Sequence, residues 1–444
     1  MMMLPQEVAA ALRRLNAAGY EAYVVGGAVR DAVRGLRRTN DWDITTSALP
    51  RQVEQVFSDL RCFETGLKHG TVTVVIDQTP LEITTFRLDG TYSDHRHPDA
   101  VQFTRSLQED LARRDFTMNA LAYSPETGLV DLYGGQADLA RGLVRCVGQP
   151  DRRFDEDALR ILRALRFAAV FSMQVEEQTT AAVHRCAPLL QSVAAERVQT
   201  ELTRLLCGPG AGPILTAFAD VLAVPIPELR PLFGLDQRNP HHDRDLWRHT
   251  VAAVSAAPAD SVLRWAALLH DVGKPDRFTL DSSGVGHFYG HAARSASIAD
   301  AILPRLRFDA ARRERIVTLI RLHDQPLLPE RPAMMRLLHR LGDEAARQLI
   351  DLHRADTLAQ APMCQSRLAD YDQCAAMLEE ILREKACFSL RDLAVNGRDM
   401  LALGLQGPQV GAALDACLRA VMDGAAPNER AALLALAQRA AEQE

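Results

Sequence analysis

Two carboxylates separated by one residue follow a glycine-rich turn near the start of the chain. The segment VVGGAVRD places Gly26 and Gly27 after an apolar run, and Asp41 and Asp43 follow in DWDI. Because side chains at i and i+2 of a strand share one face, we expect both carboxylates to point the same way. Carboxylate oxygens suit divalent ions such as Mg²⁺, and a pair of such ions supports phosphoryl transfer. The pattern predicts magnesium-dependent phosphoryl chemistry.

Further polar residues near this motif fit the same chemistry. Glu82, in LEITTFR, supplies a third carboxylate on a predicted strand. The turn at Gly26 and Gly27 lets backbone amides approach a triphosphate, and Arg30 lies in the helix that follows. A guanidinium there can contact phosphate oxygens in a bidentate manner. We therefore expect a nucleotide triphosphate to bind at this turn.

The elements that must position these residues change in character along the chain. Apolar, β-branched runs in EAYVVGG, DWDIT, TVTVVID and LEITTF predict strands, so the first ~135 residues are mixed α/β. From Asp155 onward, Ala, Leu and Arg recur with helical periodicity. Residues 155–220, 245–325 and 331–440 are predicted to be helical, with breaks at GPGAGP and QPLLPERP.

Composition excludes several classes of protein. Among 444 residues the net charge is −6, which argues against a uniformly basic nucleic-acid sleeve but allows a local basic patch. The 8 cysteines stand singly, so neither a disulfide framework nor a cysteine zinc site is indicated, and a cytoplasmic location is expected. No apolar run reaches membrane-spanning length. No obligate protein partner is evident.

Several longer motifs carry a family resemblance. GGAVRD with DWDI, RRDFTMNALAY at 113–123, EDALRILRALRFAA at 156–169 and ERVQTELTRLL at 196–206 resemble the bacterial class II CCA-adding enzymes and their poly(A) polymerase relatives. The resemblance covers nearly the whole chain. It implies an α+β fold, with a polymerase-β-like nucleotidyltransferase head on a mostly antiparallel sheet, followed by all-α neck, HD-like and tRNA-binding domains.

The resemblance implies domain boundaries and partners. We expect the head at 1–138, the neck with its nucleobase-reading helix at 139–220, the HD-like domain at 235–335 and the tRNA-binding body and tail at 336–444. The implied reaction adds C, C and A to the tRNA 3′ acceptor end from CTP and ATP, and it releases pyrophosphate.

Roles for single residues follow from the matched motifs. Gly27 and Arg30 match positions that hold the incoming triphosphate, and Asp41 and Asp43 match the magnesium ligands. Arg114, the second arginine of RRDFTMN, matches another nucleotide-contacting position. Glu82 of LEITTFR fits the third carboxylate of the fold.

A template-independent enzyme must recognise its bases with side chains. Asp157, Arg160, Arg163 and Arg166 recur every three residues and would form one polar ridge on a helix. A carboxylate accepts from an exocyclic amino group and an arginine donates to a ring acceptor, which suits C and A and rejects U and G. The resemblance assigns base reading to Asp157 and Arg160. The alternative is a solvated helix face that is salt-bridged with Glu156.

Close relatives with narrower activities remain alternatives. The segment at 88–112 resembles the complete flexible loop that the family associates with the change from CTP to ATP, which favours full CCA addition over CC addition. The C-terminal segment resembles the tRNA-binding part of CCA-adding enzymes, which argues against poly(A) polymerase.

A second chemistry is indicated in the middle of the chain, where histidines and acids recur over ~75 residues. They can converge as metal ligands from several helices, and their spacing resembles the HD phosphohydrolase superfamily. The candidates are His249, His270, Asp271, Lys274, His291, His323 and Asp324. A second divalent metal is therefore expected, and phosphohydrolase activity stands as an alternative to a vestigial domain that serves only as a scaffold. The rival classes are an HD phosphohydrolase with a nucleotide-binding head and an RNA-binding module with an inactive head.

Overall fold

A computed structural model describes residues 2–36, 42–66, 70–90 and 101–441. The chain divides into two compact units, Met1–Arg230 and Pro231–Glu444. The strands of the first unit are β1 (Ala22–Val25), β2 (Asp43–Thr46), β3 (Arg61–Gly66), β4 (Thr71–Ile76), β5 (Thr79–Thr85), β6 (Arg87–Asp89), β7 (Val101–Phe103), β8 (Leu121–Ser124), β9 (Gly128–Asp131), β10 (Leu143–Val144) and β11 (Gln174–Val175).

Seven of these described strands form one sheet, in the order β3-β4-β5-β2-β1-β8-β9. Every neighbouring pair is antiparallel except β2 and β5, which are parallel. The predicted α+β head on a mostly antiparallel sheet is confirmed. The four strands predicted from the sequence correspond to β1, β2, β4 and β5, which form the centre of this sheet.

The helices of the first unit cover this sheet and continue beyond it. They are α1 (Gln6–Ala17), α2 (Gly27–Val33), α3 (Pro50–Val56), α4 (Leu107–Ala112), α5 (Gly135–Arg141), α6 (Pro150–Glu156), α7 (Leu159–Phe171), α8 (Glu177–Cys186), α9 (Ala195–Leu206), α10 (Ala211–Ala217) and α11 (Ala219–Leu222). Short 3₁₀ turns lie at Thr117–Asn119, Ala187–Ser192 and Pro227–Leu232.

Strand β1 is apolar throughout because both of its faces are covered. Val24 packs in a core with Leu12 and Leu15 of α1, whereas Val25 packs on the other face with Phe86 and its neighbours. Alternation along the strand places consecutive side chains on opposite faces. The sheet is thereby fixed in register, which in turn fixes the face on which the polar residues of β2 and β5 lie.

The second unit is helical apart from a short hairpin of β12 (Thr279–Leu280) and β13 (Gly286–His287). Its helices are α12 (Leu246–Ala256), α13 (Ser261–Leu269), α14 (His291–Arg305), α15 (Ala310–Leu322), α16 (Arg331–Ala359), α17 (Leu368–Arg383), α18 (Gly397–Ala402), α19 (Pro408–Met422) and α20 (Arg430–Ala441). Short 3₁₀ turns lie at Pro275–Arg277, Pro362–Arg367 and Leu390–Asp392.

Helix caps and a buried helix define the middle of this unit. Asp245, Asp260 and Asp309 accept backbone hydrogen bonds at the starts of α12, α13 and α15. Helix α13 is buried on all sides, including Trp265, which explains its unbroken apolar run. Helix α16 kinks at Gly342, and the predicted domain boundary between 335 and 336 falls inside it. Within the described residues, no helix is long and apolar enough to cross a membrane.

Candidate active site

Carboxylates from two neighbouring strands face the same side of the central sheet. Asp43 is paired in register with Glu82 across the parallel strands β2 and β5, and both side chains are exposed. Thr45 and Thr84, two residues further along each strand, share that face and line one cavity with Asp43. The predicted partner Asp41 lies outside the described residues. These strands therefore offer an oxygen-rich, solvent-accessible region on one face of the sheet.

The turn before α2 lies close to Asp43 and Arg114. Gly26 has a positive φ of 73°, which favours glycine. A Cβ atom built at Gly26 would lie 3.2 Å from Arg114 Nη1 and 3.8 Å from Asp43 Oδ2. The backbone of the turn, a guanidinium and a carboxylate thus converge on one point. Gly27, which the sequence also singled out, starts α2 and lies beside the Arg30 guanidinium.

Asp110 organises the arginines of the site, and sequence reasoning missed it. Its side chain is 0% exposed and accepts hydrogen bonds from Arg113 Nε and Nη2 at 3.0 and 2.7 Å, and from the hydroxyl of Thr45 at 3.2 Å. Arg114 Nη2 lies 3.7 Å away. Burial raises the pKa of Asp110, but Arg113 and Arg114 outweigh that effect and the pKa is lowered. Asp110 therefore remains charged and anchors both guanidinium groups.

These groups enclose a cavity of about 190 Å³. Its lining combines Asp43 with three basic side chains, those of Arg87, Arg113 and Arg114. Within the described part of the chain, Arg114 Nε is buried without a hydrogen-bond partner. A buried donor without a partner costs free energy, which an anion in this cavity would offset. The cavity thus has the charge pattern of a site for phosphate groups beside carboxylates.

Arg30 lies in the middle of α2 and is largely buried. Its Nε donates to Asp31 at 2.8 Å and its Nη1 donates to Asn119 at 2.8 Å. The guanidinium also lies over the rings of Phe167 and Phe171 of α7, 5.3 and 4.8 Å from their centroids. Arg30 thus connects α2 to α7, and its predicted contact with a triphosphate stays a prediction.

The base-reading segment differs from the expected continuous helix. Helix α6 ends at Glu156 and α7 begins at Leu159, so Asp157 lies in the break with an extended backbone. Its carboxylate accepts from the Leu159 amide at 3.1 Å, which competes with helix formation at this position. Arg197 of α9 holds the same carboxylate, with Nη2 3.0 Å from Oδ2. The prediction that Asp157 begins a single helical ridge with the three arginines is therefore wrong, because Asp157 lies outside the helix.

Each arginine of the predicted ridge is bonded to an acid. Arg160 donates to Glu156 at 2.8 Å, which is the ion pair of the alternative interpretation, and also to the carbonyl of Arg113 at 3.1 Å. Arg163 donates to Asp115 through Nε and Nη2, at 2.9 and 2.6 Å. These bonds attach α7 to the segment that carries Arg114.

Arg166, the last member of this series, has a side chain that is 12% exposed. Its Nε lies 2.6 Å from Glu201 Oε2, and its guanidinium covers the ring of Phe167 at 3.9 Å. Burial lowers the pKa of Arg166 to about 10, although Glu201 acts in the opposite direction. Arg166 therefore joins α7 to α9 within the first unit.

Four predicted histidines and one predicted aspartate converge in the second unit. His249 Nε2 and His270 Nε2 lie 3.3 Å apart, and each is 3.2 Å from Asp271 Oδ2. On the other side of the same carboxylate, His291 Nε2 and His323 Nε2 lie 3.2 Å apart, at 3.3 and 3.6 Å from Oδ1. All five side chains are buried, and each half has the spacing of a metal-binding group.

Asp356 is a sixth member of this cluster, and the sequence analysis did not identify it. Asp356 of α16 places Oδ1 3.0 Å from His249 Nε2 and 3.6 Å from His270 Nε2. It follows His323 by 33 positions in a long amphipathic helix, where a single acid carries no local signal. Burial lowers the pKa of His270, but Asp271 and Asp356 outweigh that effect and raise it to about 10.

The remaining two candidates lie at the edge of the cluster. Lys274 is buried and donates to Gln237 at 3.1 Å, with Nζ 2.7 Å from Asp271 Oδ2. Asp324 has a side chain that is 62% exposed, and its closest approach to the cluster is 3.9 Å to His291 Nδ1. The structure thus brings Lys274 to the cluster and leaves Asp324 outside the shell of ligand atoms.

Comparisons with known proteins agree with this geometry. Residues 22–145 match the family model "Poly A polymerase head domain", residues 172–229 match "Probable RNA and SrmB- binding site of polymerase A", and residues 296–437 match a model for tRNA nucleotidyltransferase domain 2. The sheet with its carboxylates, the arginine-lined cavity and the head-domain match define a nucleotidyltransferase.

Individual relatives show which family of nucleotidyltransferases the chain resembles. The CCA-adding enzyme of Levilactobacillus brevis is 35% identical over 97% of this chain and 98% of its own length. That of Geobacillus thermodenitrificans is 42% identical over 60% of this chain and 63% of its own length. The crystal structure of Bacillus stearothermophilus CCA-adding enzyme in complex with CTP superimposes with a TM-score of 0.74 at 30% identity, covering 99% of both chains. The chain belongs to the CCA-adding enzyme family.

Proposed function

We propose that this chain completes the 3′ end of tRNA by adding C, C and A in order from CTP and ATP. The observation that carries the proposal is the convergence of Asp43, the Gly26 backbone and Arg114 on one arginine-lined cavity. The family membership and the similarity to an enzyme in complex with CTP support the same reaction. The 3′-oxygen of the tRNA bonds to the α-phosphorus, and the bond to pyrophosphate breaks.

We assign the carboxylates of Asp41 and Asp43 to magnesium, with Glu82 on β5 beside Asp43. The fit rests on the donor set, because exposed carboxylate oxygens on adjacent strands are the ligands that a hard cation prefers. When bound, divalent ions lower the pKa of the attacking hydroxyl and stabilise the charge on the departing pyrophosphate. The chain supplies the remaining electrostatics through the guanidinium groups that Asp110 holds in place.

Arg114 and the Gly26–Gly27 turn position the triphosphate in this proposal. The unpartnered Nε of Arg114 can donate to a phosphate oxygen without breaking an existing hydrogen bond. The absence of a side chain at Gly26 leaves room for a phosphate beside the backbone, where a Cβ atom would lie 3.2 Å from Arg114 Nη1. The two features together hold the α-phosphorus in reach of an attacking oxygen.

Asp157 and Arg160 select the base. Cytosine and adenine present an amino group beside a ring acceptor, which matches a carboxylate next to a guanidinium. Uracil and guanine would leave a buried polar group unmatched, at about 1–3 kcal/mol for each group. Asp157 retains acceptor capacity beyond its bonds to Arg197 and the Leu159 amide, because a carboxylate can accept about four hydrogen bonds.

The complete CCA product distinguishes this proposal from CC addition and poly(A) synthesis. Residues 91–100, inside the predicted loop at 88–112, lie outside the described residues, so the activity itself must be measured. Labelled CTP, ATP or both are supplied to three tRNA transcripts that end before the first C, after the first C and after the second C. Ordered addition that stops after A is expected. Arrest after CC, or a long A tail, would contradict the proposal.

Asp43→Asn tests the assignment of the catalytic carboxylates. We expect nucleotide addition to fall by at least about 10²-fold, the scale for removing a group that stabilises transition-state charge. Asp77→Asn is a matched control, because Asp77 lies in the turn between β4 and β5 and outside the lining of the cavity. Retention of wild-type addition in Asp43→Asn would exclude the assignment.

For the C-terminal unit, we propose tRNA binding by its helices and a second, metal-dependent hydrolysis of phosphoesters at the histidine cluster. The convergence of four imidazoles on Asp271 and Asp356 favours a bound metal over a metal-free scaffold. In an Asp43→Asn chain, phosphoester hydrolysis should persist while nucleotide addition is lost. Loss of both activities together would indicate a single active site and exclude the second function.

A further inference from the structure

We infer that Phe171, the last residue of α7, is a positioning residue for nucleotide addition. Its ring holds the Arg30 guanidinium in the orientation that meets the triphosphate, so the triphosphate contact depends on the position of the base-reading helix. The inference rests on the proposed function and on the predicted contact between Arg30 and the triphosphate. It adds a residue that lies outside the motifs at 113–123, 156–169 and 196–206.

Two aromatic rings on α7 support the Arg30 guanidinium. Phe167 and Phe171 are four residues apart, so the helix places them on one face. Their ring centroids lie 5.7 Å apart, with an interplanar angle of 20°. The guanidinium carbon of Arg30 lies 5.3 Å from the first centroid and 4.8 Å from the second, within range of a cation–π attraction. Because the side chain of Arg30 is 11% exposed, solvent screens this attraction weakly.

The Phe171 ring is itself held by its surroundings. Phe167, on which it stacks, packs against Phe116 in a T-shaped contact, with centroids 5.7 Å apart. Phe116 is fully buried. In the last turn of α7, the carbonyl of Ala169 accepts a hydrogen bond from the Gly210 amide at 2.8 Å. Phe171 is therefore attached to packed parts of the first unit, and its ring can serve as a fixed support.

Hydrogen bonds set the direction of the Arg30 nitrogens above this support. Nε donates to Asp31 and Nη1 donates to Asn119, so both of these nitrogens are engaged by the protein. Nη2 lies beside the turn before α2, 3.6 Å from the position that a Cβ atom at Gly27 would occupy. A small tilt of the guanidinium would direct Nη2 away from the turn. The rings that limit this tilt therefore affect how well Arg30 meets a phosphate oxygen.

A second, polar connection joins the same guanidinium to α7. Asn119, which accepts from Arg30, donates to Asp115 Oδ1 at 2.9 Å. Arg163 of α7 donates to Asp115 Oδ2 through Nε and Nη2, at 2.9 and 2.6 Å. A displacement of α7 would thus act on Arg30 by two routes, through the aromatic rings and through the hydrogen-bonded chain. The ring contact is the more direct of the two.

Phe171 also contacts a second arginine of α2. The guanidinium carbon of Arg34 lies 4.0 Å from the centre of the Phe171 ring. Burial lowers the pKa of Arg34, Asp31 opposes this effect, and the positive charge of Arg30 adds to it. Like charges that lie close together favour binding of an anion, because its charge offsets their repulsion. Phe171 thus connects the base-reading helix to a pair of cations that suits an anionic ligand.

Inorganic tripolyphosphate tests the inference, because this probe carries neither sugar nor base. The full chain is assayed for nucleotide addition to tRNA transcripts, with KM measured for CTP and ATP and Ki measured for tripolyphosphate. We expect Phe171→Leu to raise both KM values and the Ki by a common factor of about 2–30, the effect of losing a cation–π contact. The CTP/UTP ratio of kcat/KM should be unchanged, because the groups that read the base are intact.

Further variants separate the ring from its volume and from general stability. Phe171→Met fills similar space without a ring and should show the same losses, whereas Phe171→Tyr keeps the ring and should retain wild-type values. Phe57→Leu is the matched control, because Arg14 lies 4.8 Å from the Phe57 centroid, the same distance as in the Arg30–Phe171 pair. Phe57 is buried in the head and does not line the cavity, so KM and Ki should stay at wild-type values.

A double variant shows whether Phe171 acts through Arg30. In an Arg30→Met chain, adding Phe171→Leu should raise the Ki for tripolyphosphate no further. Additive losses would overturn the positioning role, and so would an unchanged Ki in Phe171→Leu or an equal rise in Phe57→Leu. A wild-type chain that adds no nucleotide would instead overturn the proposed function.

Discussion

The ion pair between Arg197 and Asp157 gives a direct test of how the base is selected. Arg197 Nη2 lies 3.0 Å from Oδ2 of Asp157, and Nη1 lies 3.4 Å from Oδ1, so one guanidinium holds both carboxylate oxygens. Because Asp157 stands in a break between helices, its backbone orients it less firmly than a helix would. We expect Arg197→Met to leave a carboxylate in place that no longer points reliably at the base.

The magnitude follows from the burial of the pair. A hydrogen bond to a charged group contributes about 1.5–3 kcal/mol. The side chains of Arg197 and Asp157 are 28% and 17% exposed, so solvent screening reduces that value. A loss of about 1–2 kcal/mol in the preference for CTP over UTP is expected, equivalent to about 5–30-fold.

The assay is addition of one nucleotide to a tRNA transcript that lacks CCA, with kcat/KM measured for CTP and for UTP. Arg197→Met should lower the CTP/UTP ratio by the stated factor, and Asp157→Ala should lower it at least as much. Since Arg197 acts through Asp157, adding Arg197→Met to Asp157→Ala should have little further effect. Arg185→Met removes an exposed pair with Asp151 of similar geometry and serves as the control.

Three results would refute this reasoning. An unchanged CTP/UTP ratio in Arg197→Met would mean that the ion pair does not orient the reading group. Independent, additive losses in the double variant would mean that Arg197 contacts the nucleotide itself. A parallel fall in kcat/KM for both nucleotides, with an unchanged ratio, would indicate a structural role only.

Three further predictions concern stability and reactivity in the first unit. Burial raises the pKa of Asp115, but Arg163 outweighs that effect and lowers the pKa to about 2. The Asp115 carboxylate therefore stabilises the fold fully above pH ~4, and this contribution is lost as the pH falls towards 2. Asp115→Asn should lower the free energy of unfolding by about 2 kcal/mol at pH 7, as measured by urea denaturation. Burial raises the pKa of the Cys146 thiol to about 12, so iodoacetamide at pH 8 should leave it unmodified in the native chain by peptide mass spectrometry. A Cβ atom at Gly208 would lie 2.6 Å from the Ala169 carbonyl carbon, so Gly208→Ala should lower the free energy of unfolding by about 1–3 kcal/mol.

The sheet was predictable because local signals agree with the fold. The runs that become β1, β2, β4 and β5 are apolar and β-branched, since they lie at the centre of a sheet covered on both faces. Strand β3 was missed because RCFETG alternates poorly and lies at the edge. Local composition therefore identified the central strands and not the border of the sheet.

The break at Asp157 shows where periodicity misleads. The spacing of three between Asp157 and Arg160 continues the helical pattern, but an aspartate can cap a helix as well as occupy one. In the structure, Asp157 lies before the helix, where its carboxylate accepts hydrogen bonds from the Leu159 amide and from Arg197. Arg197 is 40 residues away in the sequence. An ion pair with a residue 40 positions away cannot be read from a local pattern.

The two proposed metal sites differ in the elements that form them, and this difference decides which of their residues a sequence reveals. In the head, the candidate ligands Asp41 and Asp43 are separated by one residue in the sequence, so their spacing alone reveals them. In the second unit, Asp271 and Asp356 are separated by 85 positions and meet only through the packing of several helices. Histidines are few in this chain, so each one is a recognisable candidate ligand at any spacing. A single acid in a helix with many charged residues, such as Asp356, cannot be recognised in this way.

The ligand chemistry separates the two positions as well. The head presents exposed carboxylate oxygens, which suit Mg²⁺ with its retained water, whereas the cluster presents four buried imidazoles around two carboxylates. Nitrogen ligands bind a transition metal far more tightly than they bind Mg²⁺. The proposed cluster therefore disfavours Mg²⁺, whereas carboxylate ligands in the head accept Mg²⁺ and transition-metal ions alike. The donor atoms thus make the cluster the more selective of the two proposed sites.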